Sequence, residues 1–94
     1  MNDEATLIKV AGDSAPRLVA GAIAGMIREG KPVALQSIGA SAVNQAIKSI
    51  AVARSYLQED GLDLYCVPSF TMLAIEGEER TALRIEVMPR PLEE

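Results

Sequence analysis

The sequence has no histidine, no tryptophan and a single cysteine; two tyrosines and one phenylalanine are its only aromatic residues in 94 positions. Without imidazole, Ser-His-Asp and Cys-His nucleophile arrangements and His-dependent zinc sites are excluded. One cysteine, Cys66, excludes an internal disulfide and any Cys-rich metal framework. Three aromatic rings leave few platforms for stacked bases. Long apolar runs are missing too. The longest uncharged one, Leu18–Ile27, spans ten residues, where a membrane helix needs about 20. The start, Met1-Asn2-Asp3-Glu4, is acidic where a secretory signal carries basic residues. A cytoplasmic protein is therefore expected, without membrane, metal or cofactor. The net charge is −4, which by itself disfavours a nucleic-acid partner.

What is there is enough for one domain spanning residues 1–94, with 49% hydrophobic residues. Thr6–Ala11 reads as a short strand, ended by Gly12-Asp13-Ser14. Ser14 is placed to cap a helix predicted over Ala15–Glu29, with Pro16 in its first turn and Gly30 closing it. A second strand is predicted over Val33–Ile38. Gly39 then turns the chain into a second helix over Ala40–Leu57, ended by Gln58-Glu59-Asp60-Gly61. Leu62–Ile75 is extended but interrupted by Pro68, which belongs at an edge or bulge because it cannot donate to a ladder. Glu76-Gly77-Glu78-Glu79 is a hairpin connection, and Arg80–Met88 the last strand. Residues 1–4 and 89–94 are expected to be flexible tails. The order β-α-β-α-β-β predicts an α/β (α+β) two-layer sandwich: a four-stranded mixed sheet with two helices on one face.

The helical wheel divides the first helix into a face of large residues, Leu18, Val19, Ile23, Met26 and Ile27, and a face of small ones between two arginines. The small face holds Arg17, Ala20, Gly21, Ala24, Gly25 and Arg28. Each interior glycine costs a helix about 1 kcal/mol relative to alanine. Gly21 and Gly25 therefore imply a close neighbour, which is the second helix, another subunit or a nucleic-acid backbone. In the second helix Val43, Ala46, Ile47, Ile50, Ala53 and Leu57 form the expected core stripe. Ser41, Asn44, Gln45, Lys48 and Ser55 face away, as do Val52 and Tyr56, which hint at an interface. Arg54 falls on the core side, its head reaching the helix edge.

No catalytic constellation assembles, so an enzyme is not expected. Cys66 reads as a core residue, and Glu78 and Glu79 as a solvated turn. Ser37-Ile38-Gly39-Ala40-Ser41 joins a strand end to a helix start, where free N–H groups suit an anion, although a plain turn explains it equally. Charge by segment matters more. From Ala5 to Leu57 six cations (Lys9, Arg17, Arg28, Lys31, Lys48 and Arg54) meet only Asp13 and Glu29, a balance of +4. From Gln58 to Glu94 three cations meet nine acids, a balance of −6. A locally basic half is compatible with a nucleic-acid partner because local potential outweighs the total.

Ala20-Gly21-Ala22-Ile23-Ala24-Gly25, Gln36-Ser37-Ile38-Gly39-Ala40, Asn44-Gln45-Ala46-Ile47-Lys48 and Ile75-Glu76-Gly77-Glu78-Glu79-Arg80-Thr81-Ala82 resemble the stage V sporulation protein S family, in order and spacing, from about Leu7 to Arg90. That family is similar to the chromatin protein Alba, through the stretch from Ser41 to Arg54. The resemblance implies an Alba-like β1-α1-β2-α2-β3-β4 fold, homodimers or higher homo-oligomers, and a regulator that binds DNA or RNA. The residues expected to meet phosphates, without base readout, are Lys9, Arg17, Arg28, Gly39, Ala40, Ser41, Asn44, Gln45 and Lys48. The expected oligomer interface is Gly21, Ala24, Gly25, Val52 and Tyr56. The rival expectation is a homo-oligomeric protein–protein module with no nucleic-acid role. The acidic hairpin would make any nucleic-acid binding weak, one-sided and salt-sensitive.

Overall fold

A computed structural model of the chain describes residues 5–93. Its elements are β1 (Thr6–Val10), α1 (Pro16–Arg28), β2 (Val33–Ser37), α2 (Ala40–Leu57), a 3₁₀ turn (Gln58–Asp60), β3 (Leu62–Ile75) and β4 (Glu78–Pro91). The sheet order is β1-β2-β4-β3. β1 and β2 are parallel, and β4 runs antiparallel to both β2 and β3. The expected mixed sheet forms. Because β4 inserts between β2 and β3, the second strand–helix–strand step is split, and only β1 and β2 are directly paired in parallel.

Several local expectations are corrected. Ser14 does not cap α1. Its hydroxyl accepts the Ala11 N–H at 2.8 Å, closing the loop, and Ala15 takes the cap position without a side-chain bond. Gly30 does close α1: at φ 72° it lets its own N–H reach the Ile27 carbonyl and the Lys31 N–H reach Met26, a Schellman ending. Pro68 does not interrupt β3, which runs unbroken opposite Ile85. On an edge strand the missing N–H can face away from the ladder, and Pro68 uses that freedom. Leu64, four residues earlier and in the same phase, gives its outward N–H to Asp63 Oδ1 at 2.8 Å. The hairpin turn narrows to Glu76-Gly77, both at positive φ, the geometry that follows strand twist.

The tail expected over 89–94 is also corrected. Pro89, Arg90 and Pro91 pair with Leu64, Asp63 and Leu62, and the Leu92 N–H donates to the Gly61 carbonyl at 3.0 Å. Met1–Glu4 and Glu94 lie outside the described residues.

The core lies between one face of the sheet and the two helices. Cross-strand rows Ile8–Leu35–Ile85 and Val33–Val87–Cys66 point at Ile23, Ile27, Ile50 and Leu57. The wheel divided α1 correctly only in part: Ile23 and Ile27 are buried and Val19 and Met26 pack against the core, but Ala20 and Ala24 from the small face are buried as well. Leu18 is 77% exposed, and the buried stripe is Ala20, Ile23, Ala24 and Ile27. Ala42, Ala46, Ser49 and Ala53 are the buried counterparts on α2, so small residues on both sides let the helices approach closely. Ile47, expected in the core, is 49% exposed. The opposite sheet face carries no helix. Across it runs the polar row Lys9–Gln36–Arg84–Ser69, one residue from each strand.

Candidate nucleic-acid interface

Parallel pairing of β1 and β2 puts both following helix N-termini at one end of the molecule. Neither helix has an acidic residue in its first turn. Two positive dipole ends therefore lie toward the same end, an arrangement that favours anions, although α1 begins with Pro16 and its Leu18 N–H already donates to the Ala15 carbonyl. The β1–α1 loop is pinned there. Gln45 Nε2 donates to the Ser14 carbonyl at 2.8 Å, and Gly12 lies so close to Ser41 that a Cβ on it would sit 2.6 Å from Ser41 Oγ. Gln45 thus holds the loop with its amide, while Ser41 and Asn44 stand exposed beside the helix start.

Arg17 on α1 and Lys48 on α2 flank one shallow depression, floored by Ala15, Pro16, Ala51 and Val52. Both are exposed, and neither forms an ion pair with a described residue. The other cations expected at the interface are elsewhere. Lys9 projects from the bare sheet face, because its neighbour Val10 points into the core. Arg28 stands at the opposite end of α1. Its Nε meets Asp60 Oδ2 and its Nη2 the Tyr56 carbonyl, both at 2.9 Å, tying the ends of the two helices together. Ala24, expected at a subunit interface, is 1% exposed in the core and cannot reach a partner. Gly21 and Gly25 face open space, with nothing within 4 Å of a Cβ built on either. Val52 packs against the core and Tyr56 is partly exposed.

Sequence reasoning missed a second feature at this end. β2 stops at Ser37, opposite Leu83, so the hairpin beyond that row continues as a two-stranded arm. The row Ser37–Leu83–Phe70 faces α2 and bounds an apolar groove of about 600 Å³, together with Gly39, Ala40, Val43, Asn44, Ile47, Thr81 and Ala82. Alternation along Phe70-Thr71-Met72 was the available signal, because it puts Phe70 on the helix side of a strand with no core left to fill.

Arg54, expected on the core side of α2, is exposed, and its head reaches the neighbouring strand. Its Nε and Nη2 meet Asp63 Oδ1 and Oδ2 at 2.6 and 3.1 Å, and Arg90 Nη2 lies 3.6 Å from Oδ2. The Arg54 guanidinium, the Leu64 N–H and the Arg90 charge together hold the Asp63 carboxyl down to about 2, and the same pair raises Arg54 above its ordinary value. These cations close the β3 edge and are not available to a ligand. The unfolded chain takes up this proton near the ordinary 3.8 and the folded chain only near 2. The stabilisation is therefore complete above about pH 4 and is lost as pH falls through about 2. Asp63→Asn is expected to lower the melting temperature at pH 7 and to flatten its decline between pH 4 and 2. Thermal melts of both proteins at pH 7, 4 and 2 check this; parallel acid limbs would refute it.

No helix among the described residues is long and apolar enough to cross a membrane. The family model of stage V sporulation protein S matches residues 6–90. Among solved structures, Alba from Thermoplasma volcanium is similar, with a TM-score of 0.59 at 14% identity, covering 89% of this chain and 98% of that chain. That likeness shows a shared fold, and it agrees with the element order and the four-stranded mixed sheet found here. With 6–90 matched out of 94 residues, the chain belongs to the stage V sporulation protein S family.

Proposed function

We propose that this protein is a nucleic-acid-binding regulator that contacts phosphates without reading bases. The observation that carries the reading is the unpaired pair Arg17 and Lys48, which flank one depression where the acid-free N-terminus of α1 meets the middle of α2. Arg17 and Lys48 supply charge. The N–H groups of Gly39 and Ala40, the Ser41 hydroxyl and the Asn44 amide supply neutral donors. Gln45 keeps the β1–α1 loop in place. Lys9 and Arg28 take no part, since one lies on the far face of the sheet and the other at the far end of α1. Glu76, Glu78 and Glu79 on the arm repel phosphate, which keeps the affinity low. Membership of a sporulation-protein family and the fold shared with Alba support a regulatory role.

Fluorescence anisotropy across a salt series, with single-stranded DNA, duplex DNA and RNA, tests it. Two phosphate contacts correspond to a log–log slope of about −1.8 on duplex and −1.4 on single strands. Absence of binding to all three at low salt would sink the proposal.

We also propose that the chain is a homo-oligomer, with the outward face of α1 as the contact. Leu18, Gly21 and Gly25 leave that face open, and Val52 and Tyr56 of α2 border it. Gly21→Leu is expected to fold, because a side chain there meets no atom of its own chain and a helix interior prefers leucine to glycine by up to about 1 kcal/mol. Its mass in sedimentation should fall below that of the wild type. An unchanged oligomer refutes this contact.

A further inference from the structure

Two concentrations of unpaired charge on this molecule are opposite in sign. At the tip of the hairpin arm, Glu76, Glu78 and Glu79 are all exposed, and none forms an ion pair with a described residue. In the depression between α1 and α2, Arg17 and Lys48 are exposed and unpaired in the same way. The two surfaces also match in their apolar parts. Ile75, directly before Glu76, is 39% exposed, and the floor between the two cations is Ala15, Pro16, Ala51 and Val52. The tip does not serve its own chain's depression. β3 and β4 pair without interruption to their last row, Ile75–Glu78. That ladder carries the arm about 16 Å beyond Phe70, and the molecule is 47 Å long but only 26 and 19 Å across. α2 starts beside the base of the arm and runs back from it, so Lys48 recedes from the tip. A two-stranded ribbon standing alone in water is marginally stable, so the arm gains from a surface to rest on.

We propose that the acidic tip of one copy of this chain docks in the Arg17–Lys48 depression of a second copy. Glu76, Glu78 and Glu79 bring carboxylates to the two cations, and Ile75 covers the apolar floor between them. Each copy offers one tip and one depression, so the contact joins unlike surfaces. Repeated from copy to copy, it builds a ring where the rotation closes and an open chain where it does not. Exposed ion pairs are individually weak and screened by salt, so the contact forms at low salt and dissolves as salt rises. The tip also stands in for phosphate. Arg17 and Lys48 carry the phosphate contact proposed above, so a docked tip and a nucleic acid compete for the same cations. That competition rests on the nucleic-acid function; the contact between copies does not.

Sedimentation of the full chain over a concentration series, at low and at high salt, tests the contact. The depression variant is Arg17→Glu with Lys48→Glu, and the tip variant is Glu78→Lys with Glu79→Lys. Each sets like charges against one another and should weaken low-salt self-association at least about tenfold. Mixed in equal amounts, the two should recover it, and so should one chain carrying all four reversals. All four positions are exposed and unpaired, so every variant should melt with the wild type. Wild-type mass in both variants, no recovery on combining the reversals, or a wild type whose mass ignores salt overturns the contact. Anisotropy with a short single-stranded DNA reads the competition separately. Glu78→Gln with Glu79→Gln should bind more tightly than the wild type where the wild type self-associates, and within about twofold of it at dilutions where it does not. Equal tightening at both concentrations means repulsion without docking and overturns the competition. Failure of the wild type to bind DNA overturns the function proposed above, while the mass measurements still decide the contact.

Discussion

The double reversal Arg17→Glu with Lys48→Glu should weaken nucleic-acid binding about a hundredfold at low salt, equivalent to about 2.7 kcal/mol. Two favourable phosphate contacts are removed and two repulsive ones are created in the same depression. The salt dependence should flatten at the same time, because counterion release scales with the number of phosphates neutralised. Neither residue bonds to a described neighbour, so the melting temperature should hardly move. Lys31→Glu is the control. Lys31 already pairs with Glu29 at 3.3 Å, at the opposite end of α1, and its reversal should leave binding within about twofold. Anisotropy with each variant across the same salt series decides the matter. Equal effects of the double variant and the control would mean that the helix N-terminal end is not where phosphate binds.

Leu57→Ala should be the most destabilising single change considered. Leu57 is fully buried at the end of α2, within the cluster formed by both helices and the sheet. Truncating a leucine in such a place costs about 2–5 kcal/mol, against a total stability of about 5–15 kcal/mol. At roughly 4–8 °C per kcal/mol for a domain of this size, the melting temperature should fall by at least about 8 °C. Leu18→Ala changes the same residue type on the other helix, at a position 77% exposed. It should move stability by no more than about 0.5 kcal/mol. Calorimetry of the pair checks which face of α1 is inside. Comparable losses in both variants would contradict the packing described here.

The wheel misplaced Leu18, Ala20 and Ala24 on α1 and Ile47 on α2. Periodicity finds the large residues and assumes that they are the buried ones. Here the inner stripe is Ala20-Ile23-Ala24-Ile27, in which two large residues that the wheel did place on the inner face alternate with alanines that it did not. Leu18 and Ile47 were the casualties of that assumption. Boundaries suffered similarly at the C-terminus. Pro89 and Pro91 look like a chain leaving the fold, yet β4 pairs with β3 as far as Leu62. The site was legible in part. Gly39, Ala40, Ser41 and Asn44 lie together at the start of α2, whereas Arg17 and Lys48 meet farther along that helix. Lys9 and Arg28 could not be separated from them by charge alone. Their exclusion comes from the pleat of β1 and from the Asp60 carboxylate, both properties of the folded chain.

Absent histidine, lone cysteine, element order and the uneven division of charge are covalent facts, and each bears on function before any contact is made. They exclude imidazole chemistry and an internal disulfide, and they predict two helices over a mixed sheet. Only the tertiary structure decided which face of each helix is buried, which cations are already paired, and that Ser37 and Phe70, 33 positions apart, belong to one groove. Pairing through β4 brings those two residues into the same cross-strand row. Strand register is a long-range property that local sequence does not carry.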